Sequence, residues 1–223
     1  MRGFMPIIGL ALVLNAVCPA LRAQSANADA GAYNRNANLL AAARAGDSAR
    51  VLKLLDEGAA INVRNRIGDT PLLSALKRGN DALAQALIER GADVQQANLS
   101  GVTPLMAAAY EGKGALTKQL LARGASAAPV DRLKKPAMVY AAGQGHTDVV
   151  ALLLDAGVDP SAVYENQLTA LMWAAGMGHA ATVDLLLARG AKREPKDDRG
   201  KTAADQARDS GHMQLAAKLD VAQ

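Results

Sequence analysis

Three histidines, His146, His179 and His212, are all that this chain contains. Imidazole is the side chain best suited to hold a metal ion or to move a proton near neutral pH, so these three are the first place to look for chemistry. They lie 33 residues apart, and each directly follows a glycine: Gly145, Gly178 and Gly211. Such regularity argues against a shared site. Equivalent positions in stacked helical units stand roughly 10 Å apart, whereas zinc binds histidine nitrogen at about 2 Å. The chain also contains no nucleophile elbow, no phosphate-cradling glycine loop and no H-E-x-x-H motif. Its single cysteine, Cys18, lies in an N-terminal segment that export would remove. Neither catalysis, nor a metal, nor a cofactor is expected.

The histidines belong to a larger periodic frame. Gly46, Gly79, Gly112, Gly145, Gly178 and Gly211 recur every 33 residues, and Gly58, Gly91, Gly124, Gly157 and Gly190 form a second series with the same step. An unbroken period of this length signals stacked repeats. In the second unit Thr70 is placed to cap a helix that Pro71 opens, with Leu72, Ala75 and Leu76 on one face. Gly79 ends that helix. A second follows, with Leu83, Leu87 and Ile88 buried and Gly91 at its C-terminal cap. The composition agrees: 50% of residues are hydrophobic but only 3% aromatic. Alanine and leucine therefore make up the core, which suits slender helices packed closely in an extended array.

The segments T-P-L-L-S-A-L from Thr70, T-P-L-M-A-A-A from Thr103, T-A-L-M-W-A-A from Thr169 and G-H-T-D-V-V-A-L-L-L-D-A-G-V-D from Gly145 resemble the ankyrin repeat. The resemblance covers Asn36 to Leu219. It implies an all-α fold, an ankyrin-repeat solenoid of about six helix-turn-helix units joined by β-hairpin-like loops. The domain spans 36–223, with repeats at about 36–66, 67–99, 100–132, 133–165, 166–198 and 199–223. It also implies that each histidine braces an inter-helix turn through hydrogen bonds. Three departures stand out. The first copy has Ala37-Asn38-Leu39-Leu40 in place of the Thr-led start seen at Thr70, Thr103 and Thr169, so its helix should begin less sharply. The fourth has Lys134-Lys135-Pro136-Ala137, without the loop glycine or the Thr-Pro pair, so a differently shaped tip is expected. The sixth carries Asp205, Gln206 and Arg208, as suits an end cap with no neighbour beyond it.

Residues 1–23 read as a cleaved signal peptide: Arg2 precedes an apolar run from Phe4 to Val17, then small residues. Cleavage after Ala23 is the first choice, with Ala20 and Ala28 as alternatives. The run is shorter than the roughly 18–20 apolar residues that a membrane span requires. Residues 24–35 show no periodicity and are expected to form a flexible tail. Losing Arg2 and Arg22 lowers the formal charge from +4 to +2. The periplasm of a bacterium is the expected location, with secretion as the alternative.

What remains for function is a binding surface. Tyr110, beside Glu111, and Met177 fall late on first helices, where the resemblance implies a concave groove. Tyr140 and Trp173 occupy equivalent positions in neighbouring units. They either fill space between helices or form an aromatic strip in that groove, since tyrosine and tryptophan are preferred binding anchors. The loop tips offer a second surface, with Arg66, Arg132 and Lys135 among the cations and Glu165 among the acids. Either a solvated mixed-charge rim or a site for an acidic protein fits that pattern. Nucleic acid fits poorly, because no aromatic residues are interleaved with the basic tips for stacking. The expectation is a non-enzymatic, monomeric scaffold for an unidentified protein partner. The alternatives are a secreted effector that binds a host protein, or a hydrolase whose site is assembled across repeats.

Overall fold

The structure is a computed structural model that describes residues 19–220, with side chains from residue 30 onward. Among the described residues it is all-helical, with twelve α-helices in six antiparallel pairs. These are α1 (Pro19–Ala45) with α2 (Ser48–Asp56), α3 (Pro71–Lys77) with α4 (Asp81–Glu89), and α5 (Pro104–Tyr110) with α6 (Gly114–Ala122). Then follow α7 (Ala137–Gln144) with α8 (Thr147–Asp155), α9 (Ala170–Gly176) with α10 (Ala180–Ala188), and α11 (Ala203–Asp209) with α12 (Met213–Asp220). No described helix is long and apolar enough to cross a membrane.

The first helices start where a side chain can satisfy an orphan amide. Thr70, Thr103 and Thr169 each accept a hydrogen bond from the N–H three residues on, at 3.1, 3.2 and 3.2 Å. Thr202 does the same and forms a reciprocal capping box with Asp205. Only two turns long, these helices are marginal alone and depend on packing. Leu72, Leu105, Met138 and Leu171 from first helices, and Leu87, Leu120, Leu153 and Leu186 from second helices, are almost completely buried. Each contributes roughly 1.5–3 kcal/mol of burial. First helices pack on one another more extensively than second helices do, so the stack curves toward the first-helix side. That side, together with the loop tips, is concave.

One expectation near the N-terminal end needs correction. Residues 24–35 are not a tail in the structure but lie inside α1, a continuous helix from Pro19. The cause is composition: this stretch is rich in alanine, the best helix former, and has no apolar stripe to reveal a helix by periodicity. The first repeat's helix has no sharp start at Ala37, as its missing threonine leads one to expect. Of the leader read over residues 1–23, residues 1–18 lie outside the described residues.

The fourth repeat's tip is the second correction. Lys134 takes the place of Gly68, Gly101 and Gly200 and adopts the same left-handed backbone, at φ 58°. Its N–H closes the same turn onto the carbonyl of Asp131, at 2.9 Å. The shape is kept, at the cost of strain in a lysine. The tip that differs is the next one. Asn65, Asn98, Asp131 and Asp197 brace their tips by accepting amides two and four residues on. Tyr164 stands at that position in the remaining tip, and its buried hydroxyl makes no hydrogen bond to the tip amides. There Glu165–Gln167 form a 3-10 turn in which Asn166 and Gln167 both have φ 59°.

Candidate functional site

The histidines are structural braces between repeats. Each occupies the position that begins a second helix, and its ring packs on the turn glycine of the preceding repeat. A Cβ added to Gly112, Gly145 or Gly178 would lie 2.5, 2.5 or 2.4 Å from His146, His179 or His212. The Nε2–H of His146 donates to the carbonyl of Tyr110 at 2.9 Å, and that of His179 to Gly143 at 3.0 Å. At the same position in earlier repeats Asp47 and Asn80 instead cap their own helices. The turn held by each histidine is thus the neighbour's rather than its own. Among the described residues no group of three or more His, Cys, Asp or Glu is placed to hold a metal ion.

The concave side brings together five of the residues singled out by sequence. Tyr110, the last residue of α5, is 48% exposed. Its ring meets that of Tyr140 on α7 edge to face, with centroids 5.7 Å apart and planes at 82°. The Tyr140 hydroxyl donates to the buried carboxylate of Asp131. Burial, and then the hydrogen bond and charge of Asp131, push that hydroxyl well above the ordinary tyrosine range. One repeat further on, Lys135 places its Nζ 4.4 Å from the centre of the Trp173 ring, a cation–π contact. Trp173 and Met177 then line a cavity of about 210 Å³, walled by α9, α11 and Arg199. Met177 is 54% exposed.

Tyr140 and Trp173 therefore play both of the roles open to them. Each is half-buried between first helices, and each shows part of its ring to the groove. Glu111 caps the end of α5 and is exposed beside Tyr110. Arg66, Arg132 and Glu165 sit on three separate tips and are all exposed. Arg199 is held by Asp197, with an Nη2–carboxylate distance of 2.8 Å. Burial by itself would raise the Asp197 carboxyl. Hydrogen bonds from the Lys201 and Arg199 amides and the Arg199 guanidinium outweigh it and hold the carboxyl below its ordinary range.

Two parts of the surface were missed from sequence. One is the pairing of Lys135 with Trp173, which joins a tip to the following repeat's helix. The other is a set of exposed aliphatic tip residues, Ile67, Leu99 and Leu133. Aligning the tips across the period pairs Ile67 with Leu133 but places Leu99 with Arg66 and Arg132, so only part of the second shows as a column. No local pattern announces the first.

The family model described as Ankyrin repeats (3 copies) matches residues 39–131, 108–197 and 138–219. The chain belongs to the ankyrin repeat family. No curated protein matches it by sequence. Among solved structures, it is similar to the crystal structure of the ankyrin repeat protein EF0377, with 30% identity and a TM-score of 0.74. That similarity covers 82% of this chain and 96% of the other. Ankyrin repeats generally mediate protein–protein interaction, and ankyrin repeat proteins are typically non-enzymatic scaffolds.

Proposed function

We propose that the chain is a non-enzymatic, monomeric protein-binding scaffold that works in the bacterial periplasm. The observation that carries the reading is the concave strip, where Tyr110, Tyr140, Lys135, Trp173 and Met177 present one aromatic and apolar surface across three repeats. A soluble protein that leaves large apolar side chains grouped in a concavity has a use for them. The stack fixes these groups in register, so a partner docks with little ordering cost. Export is supported by Arg2 and the apolar run from Phe4 to Val17, and by a remainder of the chain without cysteine.

Two measurements test this. A tagged chain in the producing cell is expected in the periplasmic fraction, shortened at its N-terminus; recovery only from the medium would favour a secreted effector. The double variant Tyr110→Ala, Met177→Ala is expected to lose partner capture while keeping its helical circular dichroism. Unchanged capture would remove the groove from consideration.

A further inference from the structure

A second surface lies along the tips of the first three repeats. Ile67, Leu99 and Leu133 are 59%, 57% and 66% exposed there, a high value for three aliphatic side chains. Their tips form one continuous ribbon. The Leu99 N–H donates to the Ile67 carbonyl at 3.0 Å, and the Arg132 N–H to the Ser100 carbonyl at 2.9 Å. The close approach depends on glycine: a Cβ on Gly68 would sit 2.7 Å from the Leu99 nitrogen, and one on Gly101 would sit 3.0 Å from the Asp131 Cα. Lys134 carries a Cβ at the corresponding point, and among the described residues no such bond joins Glu165 to Leu133. The ribbon therefore ends at the third tip.

Charge changes at the same place. Arg66, Arg132 and Lys134 are exposed on the ribbon, and among the described residues none has an ion pair. The carboxylates nearest in sequence are turned inward. Asp69 is buried and bonded to Lys77 and Asn98, and Asp131 is buried and bonded to Tyr140 and to tip amides. Beyond the break the exposed acids Glu165 and Asp198 appear. The cations Lys77, Arg199 and Lys201 are by contrast already engaged by Asp69, Asp197 and Asp209.

We propose that the ribbon of the first three tips docks an extended acidic polypeptide segment with an apolar side chain at about every third residue. The acidity follows from three free cations with no outward-facing carboxylate among them. The spacing follows from geometry: stacked helical repeats stand roughly 10 Å apart, and a polyproline II chain, with three residues per turn and about 3.1 Å per residue, returns every third side chain to one face at about that interval. An oligonucleotide would satisfy the cations but would leave three aliphatic side chains against phosphate, with no aromatic ring on the ribbon for its bases. The inference rests on the reading of the chain as a binding scaffold, but it does not need the aromatic groove.

The test uses the full chain and fluorescein-labelled (Leu-Glu-Glu)4, followed by fluorescence anisotropy at low salt. Controls are (Leu-Lys-Lys)4, (Ser-Glu-Glu)4 and an oligothymidine of similar length. The leucine–glutamate peptide is expected to bind at least about ten-fold tighter than any control and to weaken as added salt screens the exposed charges. Arg66→Glu, Arg132→Glu, Lys134→Glu together should weaken it by at least about ten-fold with helical signal intact. Leu99→Ser, Leu133→Ser provides a second variant with the same expectation should the charge reversals unfold the chain. No binding, equal binding of any control, or indifference to both variants would overturn the inference. A loss confined to Tyr110→Ala, Met177→Ala would place the peptide in the groove, overturning the ribbon and sparing the groove reading. Ribbon binding without any effect of the groove variant on partner capture would do the reverse.

Discussion

The ring of Tyr140 stands edge-on to that of Tyr110, 5.7 Å away between centroids. This contact joins two repeats across the concave surface, and Tyr140 is itself anchored by its hydroxyl to Asp131 at the base of a tip. One side chain thus couples a first helix, its neighbour and a loop.

Tyr140→Phe keeps the ring contact and removes the hydroxyl, so Asp131 retains only the Leu133 and Lys135 amides. A destabilisation of about 1–1.5 kcal/mol is expected, read as a lowered urea midpoint at unchanged slope. No change would mean that the hydroxyl bond adds nothing to the fold.

Tyr164 gives a pH signature. Burial, and then the negative charge of Asp159, push its hydroxyl up to about 12, and the oxygen has no hydrogen-bond partner. A group raised in the fold stabilises below its unfolded value, about 10 for tyrosine, and loses that contribution as pH climbs through the folded value. Stability should therefore fall between about pH 10 and about 12, and Tyr164→Phe should reduce that fall. At neutral pH the same variant should be neutral or slightly stabilising, because it removes an unsatisfied polar atom. Absorbance at alkaline pH and denaturant midpoints check both.

Gly145→Ala meets two obstacles, a φ of 76° and the ring of His179 at 2.5 Å. A loss of about 2–3 kcal/mol is expected, of which about 1–2 is left-handed strain. Adding His179→Ala removes the collision, so the double variant should be more stable than the sum of the single changes predicts, by about 1 kcal/mol. Strict additivity in denaturant unfolding would show that the histidine does not press on that turn.

Lys134→Gly should raise stability by about 0.5–1 kcal/mol, since left-handed strain at a side-chain-bearing residue exceeds the entropy cost of glycine. A lower thermal midpoint would contradict the strain argument.

What could be read from the sequence was whatever repeats. Gly112, Gly145 and Gly178 fix the turns, Thr70, Thr103 and Thr169 fix the helix starts, and the matching leucine positions fix the core. Residues 24–35 escaped because alanine-rich helix carries no periodic stripe. The tip at Lys134 was misjudged because turn geometry came from the Asp131 brace as well as from glycine. The histidines were legible as structural, but not the direction in which they reach. The surface was least legible. Tyr110 and Met177 could be placed by register, whereas Lys135 over Trp173 depends on how a tip of one repeat leans on the helix of the next.

The concave surface can be probed most directly by site-specific photo-cross-linking in the producing cell. The benzophenone amino acid p-benzoylphenylalanine would replace Tyr110 or Met177 on the concave side, and Gln85 or Lys118 on second helices, all four exposed. The account predicts one discrete adduct from positions 110 and 177 and none from positions 85 and 118. Adducts from positions 85 and 118 with none from 110 and 177 would contradict it.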